Sequence, residues 1–269
     1  MVKKTSFIIG SLIFLVFLLF SIFPSFFAPY ELKFMDEPWL GCSSSHLLGT
    51  NKLGYDIFSE LIYGTRETLI IGIFSSMFSL ILGSIIGALS CENNILGRLS
   101  NILINTMAML PRLITLVVLA TFINSSRITI ILLISIFSFS QSGKAIGVRV
   151  RMLMHESFIE NLEIEGFSKS HILIFHIIPN LRDLIITRFL LGINSSIMME
   201  SSLSFLGFGD IYHPTWGTMV NLAYRNGAYL RRSFNYLLSP GIAIMLLTLS
   251  FYLISTSIEE QSDMIKEKI

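Results

Sequence analysis

The chain has 269 residues, of which 52% are hydrophobic and only 14% charged, with a mean hydropathy of +0.70. That balance excludes an ordinary soluble domain, whose core could not absorb so much apolar surface. The net charge of +1, with no run of basic residues interleaved with aromatics, excludes nucleic acid as an expected partner.

Lys3 and Lys4 precede an apolar run over residues 7–27. It is too long for a signal-peptide core and no small-x-small cleavage site follows, so it is expected to stay as a first membrane helix whose start is held inside by the lysines. Further apolar stretches cover residues 68–90, 99–123, 128–143, 184–206 and 236–256. Each approaches the roughly twenty residues that a bilayer core of about 30 Å requires, except the fourth, which is short. The expectation is an all-α integral membrane protein forming a single transmembrane domain over residues 1–269, with about six transmembrane helices and both termini cytoplasmic. Basic residues favour that orientation: Lys144, Arg149, Arg151, Arg188 and Lys268 are among those placed inside, against Lys33, Lys52, Arg66 and Arg127 among those outside. Cys42 and Cys91 fall in segments on opposite sides and are expected to be free thiols.

Three inter-span segments are longer than a bundle needs: an outer one over residues 28–67, an inner one over 144–183 and a second outer one over 207–235. The inner segment contains ESFIENLEIEGFSKSHILIFHIIPN (156–180), amphipathic and charged, with Gly166 breaking its helical pattern and Pro179 expected to stop the second half. Two short helices meeting at a bend suit docking into another protein's groove. No phosphate loop of the form G-x-x-x-x-G-K-[ST] is present, so ATP hydrolysis is not expected of this chain. Neither a catalytic motif nor a metal-ligand cluster stands out: His46, His155, His171, His176 and His213 are dispersed, and the twelve methionines and twenty-two phenylalanines read as packing residues. Arg112 falls about halfway along the predicted third span, where a charge must face protein or water. It is expected either to snorkel or pair with Glu200, the acid inside the fifth span, or to line a central cavity and meet a passing carboxylate.

The spacing of the inner segment resembles the EAA-x3-G-x9-I-x-L-P signature of permease subunits in binding-protein-dependent ABC importers, at Glu160, Gly166, Ile178 and Pro179. His176, Ile177 and Asn180 add a likeness to the peptide and nickel branch. Asn161 and Leu162 stand where the signature has small alanines. HLLGTNKLGYDIFSELIYGTRETL (46–69) is similar to a block that precedes the second span in that branch, with Asn51, Tyr55 and Glu60 replacing an acid and two bases. MESSLSFLGFGDIYHPTWGTMV (199–220) is similar to its E-A-S-L-S-F-L-G-L-G block and following W-G.

The resemblance implies a transport subunit that moves peptides, or nickel or metal chelates, inward by alternating access. It implies a coupling loop at 144–183, with Glu160, Asn161, Leu162, Gly166, His176, Ile178, Pro179 and Asn180 facing the ATPase. Arg112, Glu200 and Ser204 are the candidate pathway residues. The implied partners are a second homologous permease, ATP-binding subunits that hold the ATP, an external substrate-binding protein and the lipid bilayer of a bacterial cytoplasmic membrane. No cofactor is expected in this chain. Two rival readings are an ion-coupled secondary transporter, for which no matching halves are found, and a degenerate, non-transporting partner subunit.

Overall fold

The computed structural model describes residues 2–32, 34–210 and 212–266; Lys33 and Lys268 lie outside them. Among the described residues, five helices are long and apolar enough to cross a membrane, or six if one sharply bent pair counts as a span. Helix α1 (Val2–Ile22) turns Phe7, Ile8, Leu12, Leu15 and Leu19 outward, the composition expected toward lipid. Its other face seats Phe17 on Trp216 and Phe14 on Phe251, with ring centroids 5.3 and 5.0 Å apart. The predicted first span ran to residue 27, but the helix ends at Ile22. Phe23 leaves the helical region before Pro24, which opens the separate turn α2 (Pro24–Phe27).

The next segment folds around His46. Its Nδ1 lies 3.0 Å from Asp56 Oδ1, its Nε2 lies 3.3 Å from Asp36 Oδ2, and Tyr30 stacks on the ring at 4.9 Å. Gly54 takes φ +81, where a Cβ would strike the Asp36 carbonyl. Asn51 Nδ2 donates to Glu60 Oε2 at 2.9 Å, so two of the three residues that depart from the pattern of the similar block are partnered with each other. Asp56 accepts from Ser59 N at 2.7 Å and caps α3 (Ile57–Leu89). That cap starts the helix well before residue 68, where the apolar run begins; Glu60, Arg66 and Glu67 lower hydropathy without opposing helix formation.

His46 makes this latch pH-sensitive. Burial lowers its pKa, but the hydrogen bonds with Asp56 and Asp36 outweigh that and leave it above its ordinary 6.5. The Glu37 amide and His46 hold Asp36 below its ordinary 3.8. The histidine's contribution is therefore complete below 6.5 and lost as pH rises through its higher folded value; the aspartate's is lost only in strong acid, as pH falls through its depressed value. Protection of the amides at residues 47–51, taken as exchange corrected for its intrinsic base catalysis, is expected to be weaker at about pH 9 than at about pH 6, with no such difference in His46→Gln. An unchanged pH response in that variant would assign the effect to other groups.

Helix α4 (Ile95–Met109) is capped by Asn94 and ends at Leu110, which is extended ahead of Pro111; α5 (Arg112–Ala120) then leaves at 88°. The predicted third span is thus broken, because proline removes an N–H and drives the residue before it out of the helical region. Helix α6 (Arg127–Met154), capped by Ser126, is 28 residues long. The expected short fourth span is corrected by this: the apolar run stops at residue 143, but the helix continues through Lys144 and Arg149, and the inner segment shrinks to residues 155–181.

Helices α3 and α6 approach on glycines. A Cβ on Gly83 would lie 2.7 Å from Phe139 O, and one on Gly87 only 2.5 Å from Gly143 O. Such small-residue seams let helix backbones meet in a membrane, where apolar burial gives little drive for association. Ser135 Oγ donates across the seam to Ser75 O at 3.2 Å. The inner segment holds α7 (Ser157–Ile164), α8 (Lys169–Ile172), a π-helical turn and α9 (Ile178–Asn180). Helix α10 (Arg182–Leu203) passes into a second π-helical turn containing Gly207 at φ +96, followed by α11 (Trp216–Arg225) and α12 (Phe234–Lys266). Both cysteines are unpaired.

Candidate functional site

The inner segment is built on the end of α6. Ile159 of α7, Ile172 of α8 and Ile177 pack with Ile146, Val150 and Leu153 of α6 and with Leu181, all buried. Helix α7 ends as its pattern requires: Gly166 adopts φ +88 and Phe167 N donates to Leu162 O at 3.1 Å, the glycine-terminated closure that satisfies the last carbonyls of a helix. Gly166 is exposed, and a Cβ there would meet nothing within 4 Å, so only its backbone conformation demands glycine.

Pro179 does not stop the second half. It sits inside a continuous helical run, one residue after Ile178, whose N–H reaches back to Leu173 O. The widened π turn shifts the carbonyls that an α-helix would drive against the proline ring. Asn180 Nδ2 then donates to His176 O at 2.8 Å.

The two substituted alanine positions separate. Leu162 is half-buried and adds to the anchoring cluster, while Asn161 and Glu160 are exposed. Outward from the anchored base stand Phe158, Ile164, Phe167, Ile174, Phe175 and Ile178, all exposed, beside the exposed Glu156, Glu160 and Glu165. Phe167, His171 and Phe175 form a ladder of rings at 4.9 and 4.7 Å. An apolar face with an acidic border, on a rigid base, is a surface built for contact rather than for water.

The pathway candidates are distributed differently from expectation. Glu200 and Ser204 are both 1% exposed and joined: Ser204 Oγ donates to Glu200 Oε1 at 2.6 Å, Thr215 Oγ1 to the same oxygen at 2.7 Å, and Ser201 Oγ to Oε2 at 3.4 Å. Thr215 also caps α11 in a reciprocal pair with Thr218, and Trp216 Nε1 donates to Leu61 O at 2.9 Å. The Glu200 carboxylate thus ties the end of α10 to α11 and, through Trp216, to α3. Arg112 is not part of this group. It lies at the break between α4 and α5, half-buried, and the ion pair with Glu200 is not formed because hydroxyl donors already hold that carboxylate.

Two groups escaped the sequence reading. At the start of α6, Arg127 meets Glu67 of α3 at 3.0 Å and donates its N–H to Asp210 Oδ2 at 2.9 Å; His213 Nδ1 lies 3.0 Å from the same oxygen. Burial alone would raise the Asp210 pKa, but the His213 hydrogen bond and the Tyr212 and Arg127 amides bring it below its ordinary value. The partners are distant in sequence and no motif announces them. The second group lines a cavity of about 710 Å³ between the C-terminal half of α6 and the N-terminal half of α10, reaching Ala108 of α4 and Glu259 of α12. Lys144, Arg149 and Arg188 stand in it, residues that in the sequence counted only toward orientation.

Residues 79–261 match the family described as binding-protein-dependent transport system inner membrane component. The chain is 28% identical over 261 residues to a glutathione transport system permease protein of Pectobacterium atrosepticum, covering 92% of this chain and 84% of the relative. A dipeptide transport system permease protein of Alkalihalophilus pseudofirmus is 28% identical over 228 residues, 83% of this chain and 73% of the relative. A di/tripeptide transport system permease protein of Pseudomonas aeruginosa is 29% identical over 267 residues, 95% and 87%.

Proposed function

The chain belongs to the binding-protein-dependent transport system inner membrane component family and is a permease subunit of an ABC importer, and from that premise we propose that it carries peptides inward, driven by ATP that separate subunits hydrolyse. Peptide is the substrate class in the names of two of the similar permeases, and glutathione, itself a small peptide, is that of a third. The working unit is this chain, a second homologous permease, ATP-binding subunits seated on α7–α9, and an external binding protein that delivers substrate to the opposite side. Both termini face the cytoplasm. Transport proceeds by alternating access: closure of the ATPase pair displaces the inner segment, and the helices rock so that the route opens to the other face.

The observation that carries this reading is the surface of the inner segment. Ile164, Phe167 and Phe175 are exposed while Ile159, Ile172 and Ile177 lock the same segment to α6, so a push on the outer face passes directly into a transmembrane helix. Glu156, Glu160 and Glu165 border that face, and the groove receiving it is correspondingly basic. The test is recovery of the ATPase with affinity-purified permease complex. Ile164→Asp and Phe175→Asp are each expected to reduce recovery at least about tenfold, the effect of losing roughly 1.4 kcal/mol, with membrane levels unchanged. Full recovery with both variants would place the ATPase elsewhere.

A further inference from the structure

The cavity between α6 and α10 combines features that a mere gap between helices does not require. Lys144 and Arg149 approach from α6 and Arg188 from α10, and among the described residues none of them is held in an ion pair. Ser140 lines the same space, is 0% exposed and has a hydroxyl without a hydrogen-bond partner. The buried Nε of Arg188 is likewise unpartnered. Buried donors of this kind are ordinarily satisfied, and here three cations and a hydroxyl share one space. Asp183 and Glu259 also line it, so the excess of positive charge is small. At 1.5 Å per residue, Lys144 lies about 25 Å along α6 from its start at Arg127. That is near the far edge of a hydrocarbon core of about 30 Å. The cavity is thus on the inner half of the helix bundle and remote from Glu200 and Ser204.

We propose that this cavity is a carboxylate-binding stage at the inner end of the substrate route, where Arg188, assisted by Lys144 and Arg149, receives the carboxylate of a transiting peptide. The proposal rests on the peptide-import reading and deepens it by naming the group recognised. Arginine suits the role because its fork can take both carboxylate oxygens. Asp183 and Glu259 keep the net charge low, so the anion is held and then let go, as passage through a transporter requires. On this proposal the carboxylate-receiving role expected of Arg112 falls to Arg188, Lys144 and Arg149, which line the cavity. A lipid phosphate from the inner leaflet offers the same anion chemistry, and the test separates the two sources.

The experiment uses the whole complex in vesicles, with Met152→Cys at the cavity as the reporter in a Cys42→Ser, Cys91→Ser background. The labelling rate with a neutral maleimide is measured with N-acetyl-dialanine and with its C-terminal amide. The free acid is expected to slow labelling about tenfold more than the amide. Arg188→Gln abolishes that difference, and Arg188→Lys restores part of it. Equal protection by acid and amide, or a difference that survives Arg188→Gln combined with Lys144→Gln, overturns the proposal. So does labelling that is already slow without peptide in phosphatidylglycerol vesicles and fast in phosphatidylcholine, which assigns the cavity to lipid phosphate. Carboxylate-selective protection in a complex that moves no peptide leaves the site standing and removes the import reading. Peptide uptake with no selective protection removes the site alone.

Discussion

Exchanging Gly87 for leucine is expected to remove most of the subunit from the membrane fraction. A Cβ there meets the carbonyl oxygen of Gly143 at 2.5 Å and its Cα at 3.1 Å, and both are backbone atoms that cannot swing aside. The helices must separate by on the order of an ångström, which forfeits a large share of the dispersion contacts along the seam. Overpacking in a tight core costs about 1–3 kcal/mol or more, set against total stabilities of about 5–15 kcal/mol. Gly241→Leu in α12 is the control, since a Cβ at that glycine meets nothing within 4 Å. Quantifying both proteins in isolated membranes should show near-normal Gly241→Leu and severely depleted Gly87→Leu. Equal abundance would show that α3 and α6 do not meet on this seam.

Apolar length made five of the helices legible, and the punctuation residues placed several of their ends. Gly166 announces a break that the structure contains, whereas the first span was drawn through Pro24 to residue 27 although the helix ends at Ile22. What hydropathy misread was the relation between polarity and helicity. It ended the fourth span at residue 143, although Lys144 and Arg149 are good helix formers and α6 runs to Met154. It joined residues 99–123 into one span across Pro111, because apolar content is blind to the bend that proline imposes. Pro179 erred in the opposite direction, since a π turn can carry a proline within a helical run. Glu200 was visible as an acid in a span with Ser201 and Ser204 within one turn, but its third donor, Thr215, lies fifteen residues onward and is supplied only by the fold-back before α11. The Arg127, Glu67 and Asp210 group and the cavity cations depend wholly on which helices become neighbours.

Substitutions at Gly166 are expected to disconnect ATP hydrolysis from transport in a graded series. Its φ of +88 with open space around it means that a side chain meets no steric wall, only the left-handed backbone penalty of about 1–2 kcal/mol. That shifts the closed end of α7 to non-native geometries by roughly five- to thirtyfold. Asparagine tolerates this region better than alanine, and a β-branched residue worse. Uptake should therefore fall in the order Gly166, Asn, Ala, Val, reaching about tenfold loss at alanine, while the permease stays in the membrane. Vesicle uptake assays across the four proteins check the order. Identical uptake in all of them would take the bend at Gly166 out of the mechanism.

The central claim, that this permease is moved by ATP through its inner segment, is met most directly by one measurement on the reconstituted complex. Peptide uptake and ATP hydrolysis are recorded together, with binding protein present and all ion gradients collapsed, for the natural chain and for Gly166→Val. The expected result is ATP-dependent uptake by the natural chain and hydrolysis without matching uptake by the variant. Uptake that proceeds without ATP when an ion gradient is imposed, and is indifferent to Gly166→Val, would contradict it.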